Sequence, residues 1–201
     1  QTRVLNEGTF YIGVPRLAFS VRIETGKGET LEIESGTDVK AGKSQIVENN
    51  VYYGEKHDLH LTDDFHDICF SEKNFDCAVE AKRPDGELTL FDYPAEKVIR
   101  RIIPKYIGTV NGKKLYDLGE NITGRLKFDT SYGGKIIIEH AEELNPDRTL
   151  DFYTVGCKYT PWRIQTFECI GDALPHKDVY AHFTWYGFRY FTVEGEIENL
   201  V

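Results

Sequence analysis

Apolar and polar residues alternate along much of this chain with a period of two. Leu17, Phe19, Val21 and Ile23 are interleaved with Ala18, Ser20, Arg22 and Glu24, the spacing of a strand that buries one face. Gly26-Lys27-Gly28 then supplies residues able to take positive φ, and Leu31 and Ile33 resume the alternation, which predicts a hairpin. The grammar returns downstream, where Leu126 and Phe128 alternate with Arg125, Lys127 and Asp129. Gly133-Gly134 reverses the chain and Lys135 to Ala141 carries it back, predicting a second hairpin. Apolar residues are nowhere sustained at helical spacing over three turns, so helices are expected to be few and short. Turn signals recur roughly every 8 to 12 residues, as in antiparallel sandwiches. The fold class predicted is all-β: two antiparallel β-sandwich (jelly-roll-like) domains. Pro84-Asp85-Gly86 reads as a turn and Phe91 to Lys97, with Pro94, as a connection, so the domains are drawn at 1–97 and 98–201.

Composition narrows the function classes. With 201 residues, 40% of them apolar and 13% aromatic, the chain can bury one large core or two cores of about 100 residues each. A net charge of −9 repels phosphate backbones and anionic lipid heads, so neither nucleic acid nor a membrane is expected as a partner. No apolar run approaches the roughly 18 residues of a spanning helix, and Gln1-Thr2-Arg3-Val4 does not open a signal peptide. The absence of Met, position 1 included, leads to the expectation that the chain is processed or a fragment. Cys69, Cys77, Cys157 and Cys169 lack CxxC spacing and scaffold density, and read as reduced thiols; a bridge within either neighbouring pair stays open. His57, His60 and His66 lie close together without an HExxH pattern or a matching Cys pair, so no metal site is expected. Asn121-Ile122-Thr123 matches a glycosylation acceptor formally, which is discounted for a bacterial-type chain. There is no nucleophile elbow, phosphate loop or dinucleotide fingerprint, and no cofactor is expected.

Four motifs carry a resemblance. Leu115-Tyr116-Asp117-Leu118-Gly119-Glu120-Asn121-Ile122-Thr123-Gly124-Arg125-Leu126 resembles the YDFGQNxxG opening of the sandwich that precedes the barrel of bacterial α-L-rhamnosidases, with Glu120 in place of Gln. His140-Ala141-Glu142-Glu143-Leu144-Asn145, followed by Asp147-Arg148-Thr149-Leu150, is similar to that family's HAExLNxDGTL, with Arg148 where Gly is typical. Phe183-Thr184-Trp185-Tyr186-Gly187-Phe188-Arg189-Tyr190 resembles FxYHGFRY, with Tyr186 at the usual His position. Upstream, Tyr52-Tyr53-Gly54-Glu55 and Asp58 resemble the YYGExxDxR that closes the family's amino-terminal domain, with His60 replacing Arg. Gln165-Thr166-Phe167 departs from the Asp that the family commonly places before an aromatic.

The resemblance implies the non-catalytic β-sandwich region of an α-L-rhamnosidase, its first domain incomplete. It also implies a partner in the same polypeptide, a downstream (α/α)6 catalytic domain, and contact with rhamnose-containing carbohydrate. The family's acid and base belong to that barrel and act with inversion, so no catalytic residue is expected in this chain. A free-standing carbohydrate-binding, lectin-like module is the alternative. The sugar-contact candidates are Trp162, Trp185, Tyr186 and Arg189. An aromatic face matches the C–H face of a pyranose, but core packing suits the same rings; Arg189 could hold a carboxylate or clamp the sandwich internally. Glu142 and Glu143 are adjacent, and in an extended segment they point to opposite faces, unable to flank one bond. Glu55 and Asp58 are expected to satisfy backbone N–H groups or to hold a cation.

Overall fold

The computed structural model describes residues 16–61, 67, 69–73, 75–82, 86, 87, 89, 91–156 and 164–201. In chain order the strands are β1 (Ser20–Glu24), β2 (Thr30–Glu34), β3 (Lys40–Ala41), β4 (Ile46–Asn50), β5 (Gly54–Asp58), β6 (Asp76–Cys77), β7 (Lys105–Val110), β8 (Lys113–Gly124), β9 (Lys127–Thr130), β10 (Lys135–Ala141), β11 (Glu143–Leu144), β12 (Leu150–Asp151), β13 (Thr166–Ile170), β14 (His176–Tyr180) and β15 (Tyr186–Glu194). The fold is all-β, and no helix occurs among the described residues. The chain divides into two compact units, residues 1–43 with 65–95, and residues 44–64 with 96–201.

In the first unit β1 and β2 form the predicted hairpin, pairing Val21 with Ile33 and Ile23 with Leu31. Thr25 closes the turn by accepting the Lys27 and Glu29 backbone N–H groups on its hydroxyl, and Gly28 takes φ +81°. β3 pairs with β6. None of the described residues in this unit is buried, and Val21 and Ile33 remain 44% and 43% exposed.

The second unit is built on a seven-stranded sheet of order β4-β5-β13-β10-β15-β8-β7. Alternation on its long strands sets the core: Ile136, Ile138 and His140 of β10, Phe167 and Cys169 of β13, and Phe188, Phe191 and Val193 of β15 point inward and are buried. β9 and β14 supply the facing layer with Phe128 and Val179, joined by Leu126 and Ala181. The Phe128 ring meets Phe167 edge-on at 6.0 Å. The far side of β9 pairs with 198–201 through reciprocal backbone bonds of Asp129 with Glu198 and Lys127 with Val201. On the other face of the large sheet Leu115, Ala141 and Leu150 make a second, smaller cluster.

The structure corrects the second hairpin. β9 and β10 form where expected, but β9 pairs with β14 and β10 pairs with β13 and β15. Gly133-Gly134 turns the chain from one layer to the other: a glycine pair fixes where a chain reverses, while Phe128 and Ile138 are buried by facing each other across the core rather than by lying side by side. A second departure is that β5 runs parallel to β13, with Gly54 opposite Thr166 and Asp58 opposite Ile170. Parallel neighbours need a long crossover, and here more than a hundred residues separate them. Along the sequence the units change between residues 95 and 96, while 44–64 belong with the downstream unit.

Candidate functional site

The parallel pairing delivers Glu55 to the interior of the second unit. Its carboxylate is 2% exposed and collects four donors: His57 Nε2 at 2.6 Å and the His182 N–H at 2.7 Å on Oε1, Asn49 Nδ2 and the Phe183 N–H at 2.9 Å each on Oε2. Burial pushes this carboxyl up, but the His57 bond and the two backbone N–H groups outweigh it, and the net shift is downward. Because a carboxylate only accepts, His57 must carry its proton on Nε2, which leaves Nδ1 buried without a partner. Glu55 therefore holds backbone N–H groups, one of the two uses expected of it. Asp58 similarly accepts the backbone N–H and Nδ1 of His60. Among the described residues no three His, Cys, Asp or Glu side chains gather as metal ligands, and His66 lies outside those residues.

What Glu55 pins is the segment leading into β15. There Thr184 is buried between two exposed aromatics, Phe183 at 68% and Trp185 at 48%. Burial then alternates through Tyr186, Gly187 and Phe188, so Trp185 and Gly187 share the outer face. The Gly187 N–H donates to Gln165 Oε1 at 2.8 Å, and beside it Glu142 accepts Asn121 Nδ2 at 3.0 Å and a bond from Thr154. Those two bonds hold the Glu142 carboxyl below its ordinary range.

The four sugar-contact candidates fare differently. Trp185 presents its ring to solvent. Tyr186 does not: it is 2% exposed, stacks on His140 at a centroid distance of 4.1 Å and sends its hydroxyl to the Thr166 carbonyl. With both faces packed in the core, this ring has no surface for a sugar. His140 donates through Nδ1 to the Gln165 carbonyl at 2.6 Å, and burial lowers its pKa to about 4. Arg189 is committed internally, its Nε and Nη2 meeting the two Asp117 oxygens at 2.8 and 3.1 Å and its guanidinium lying over Tyr190. Trp162 lies outside the described residues. Cys69 and Cys77 are free and exposed, and Cys169 is free and buried; Cys157 lies outside the described residues. Sequence reasoning missed Gln165 as the acceptor of the Gly187 N–H and Asn121 as the donor to Glu142. Only Gly187, a glycine breaking an aromatic-rich strand, carried a local signal.

The fold places the second unit in the class of concanavalin-like β-sandwiches. The bacterial alpha-L-rhamnosidase concanavalin-like domain matches residues 108–200, and the alpha-L-rhamnosidase N-terminal domain matches residues 2–100. The chain belongs to the bacterial α-L-rhamnosidase family and carries these two of its domains. An alpha-L-rhamnosidase of Streptomyces avermitilis is 29% identical over 195 residues, 90% of this chain and 18% of that protein. The structure of alpha-L-rhamnosidase from Dictyoglumus thermophilum superposes with a TM-score of 0.77 at 26% identity, over 91% of this chain and 21% of that one. The Streptomyces avermitilis enzyme complexed with L-rhamnose shares the fold, with a TM-score of 0.71 at 24% identity, over 87% of this chain and 17% of that one. The chain thus spans about a fifth of the length of the relatives it matches.

Proposed function

We propose that the chain is the accessory β-sandwich region of an α-L-rhamnosidase, a glycoside hydrolase releasing terminal α-L-rhamnose. It braces an (α/α)6 catalytic domain of the same polypeptide and is not catalytic by itself. What supports this reading is the match to the family's N-terminal and concanavalin-like domains, in order, over about a fifth of the relatives' length. The chain alone, incubated with p-nitrophenyl α-L-rhamnopyranoside, is expected to release no nitrophenol above the buffer rate. Release proportional to protein concentration overturns the reading. Bracing is tested separately: removing residues 1–201 from a longer polypeptide that contains them is expected to lower the melting temperature of the remainder.

The exposed ring of Trp185, held on a segment anchored at Glu55, favours a second element of function, direct contact with carbohydrate. An exposed indole face matches the apolar C–H face of a pyranose. That contact serves the accessory role and the carbohydrate-binding module alike. The melting experiment separates the two, since a free-standing module stabilises nothing downstream.

A further inference from the structure

We propose that the Lys97–Val98 peptide bond is a processing site for a lysine-selective endopeptidase, and that the cut chain stays one particle because β5 is built into the downstream sandwich.

An endopeptidase takes its substrate as an extended strand and pairs with the backbone on both sides of the bond it cuts, so it needs a run that is exposed, irregular and unpaired. Residues 94–101 meet all three conditions. Each is exposed, none belongs to a strand or turn, and among the described residues no backbone hydrogen bond holds them. On the carboxyl side of the bond Val98 and Ile99 are 77% and 90% exposed. The dibasic pair Arg100-Arg101 is the poorer site. Arg100 donates to Glu120 Oε2 at 2.6 Å, and directly after Arg101 the Ile102 side chain packs against the main core. Lys97 has no such tie among the described residues. By contrast Lys40, Lys56, Lys113, Lys127 and Lys135 lie in paired strands, where a protease must first unpair the backbone. Hydrolysis breaks the bond between the Lys97 carbonyl carbon and the Val98 nitrogen and adds one water, leaving a carboxylate on Lys97 and an amino group on Val98.

The pieces are held together by 44–64, which precede the cut in sequence and belong to the unit that follows it. Gly54–Asp58 pairs with Thr166–Ile170. The Leu59 N–H donates to the Ile170 carbonyl at 2.9 Å, and the Thr166 N–H to the Tyr53 carbonyl at 2.8 Å. Buried side chains cross the same seam: Leu59 lies in the main core, and His57 meets Phe167 edge-on at 5.0 Å. The Glu55 carboxylate still holds the His182 and Phe183 amides. Cleavage therefore removes one covalent bond and none of these contacts.

The test is native digestion of the full 201-residue chain with a lysine-specific endopeptidase, followed by intact-mass spectrometry and size-exclusion chromatography. The first products expected are 1–97 and 98–201, eluting together at the position of the uncut chain and separating only in urea. Lys97→Gln, a change on an exposed segment, should abolish this cut and leave the melting temperature unchanged. In the cut protein Glu55→Gln should lower the urea concentration at which the pieces part. No cut, a first cut at another lysine, or an unchanged rate in Lys97→Gln overturns the site. Pieces that elute apart in native buffer overturn their retention by β5.

Discussion

Glu55 and His182 stand 127 residues apart, and the Glu55 carboxylate accepts the His182 backbone N–H at 2.7 Å. One side chain thereby ties the parallel strand β5 to the entrance of β15 and satisfies the Phe183 N–H as well.

Replacing Glu55 with Gln leaves one accepting oxygen for donors that now occupy two. The variant should lose about 2 to 3 kcal/mol in urea unfolding, the scale of a buried donor left without a partner. Because the folded carboxyl titrates lower than the ordinary value of 4.5, its stabilisation is present above that pH and is lost as pH falls through the folded value. The gap between wild type and Glu55→Gln should therefore be constant at neutral pH and close in strong acid.

His140 adds a pH dependence at higher pH. Its pKa falls from 6.5 to about 4 on folding, since burial penalises the cation. Between those values the unfolded chain binds the extra proton, so stability falls on acidification, by about 3 kcal/mol across the window. Urea midpoints measured at half-unit steps from pH 7 to pH 4 should decline steadily. A flat profile would show that the imidazole is not buried neutral.

Gly54 takes φ +117°, and a Cβ there would stand 1.8 Å from the Thr166 carbonyl oxygen. Gly54→Ala should separate β5 from β13 and cost about 3 kcal/mol or more, the scale of backbone strain added to lost pairing. Hydrogen exchange would locate the damage in Thr166–Ile170.

The Asp117 carboxyl is held low chiefly by its bond to Arg189, against a smaller upward push from burial. In Arg189→Ala it should titrate higher than in the wild type, with the Gly119 N–H still holding it, visible in carboxyl NMR. Stability should fall by only about 1 kcal/mol or less, because the pair is partly solvated.

Burial pushes the Cys169 thiol up to about 12. At pH 8 iodoacetamide should label Cys69 and Cys77 in the native chain and reach Cys169 only on unfolding, as peptide mass spectrometry would show.

The strands were legible in the sequence because the pleat writes itself into every second residue: Val21 and Ile23, or Ile136 and Ile138, announce a strand wherever they fall. Their partners were not. Gly133-Gly134 marks a reversal equally well for a hairpin and for a change of layer, and only burial of Phe128 against Phe167 decides between them. The same limit governs the site. Trp185 and Tyr186 are alike as residue types, and the pleat sends one ring outward and the other onto His140. Arg148 was visible as a departure from a motif glycine. Its φ of +67° shows why glycine suits that turn, and its guanidinium donates to the Ile107 carbonyl.

Strand β5 makes the sequence-level division of this chain a poor guide for cutting it. A fragment beginning at residue 98 would take the concanavalin-like sandwich without β4 and β5, baring the hydrogen-bonding edge of β13 and leaving the His182 and Phe183 amides without their carboxylate. Such a fragment should clump or recruit a foreign strand, whereas one that retains 44–64 carries its own edge protection. The downstream sandwich is in this sense a graft, completed by a strip of polypeptide that the upstream domain's boundaries enclose.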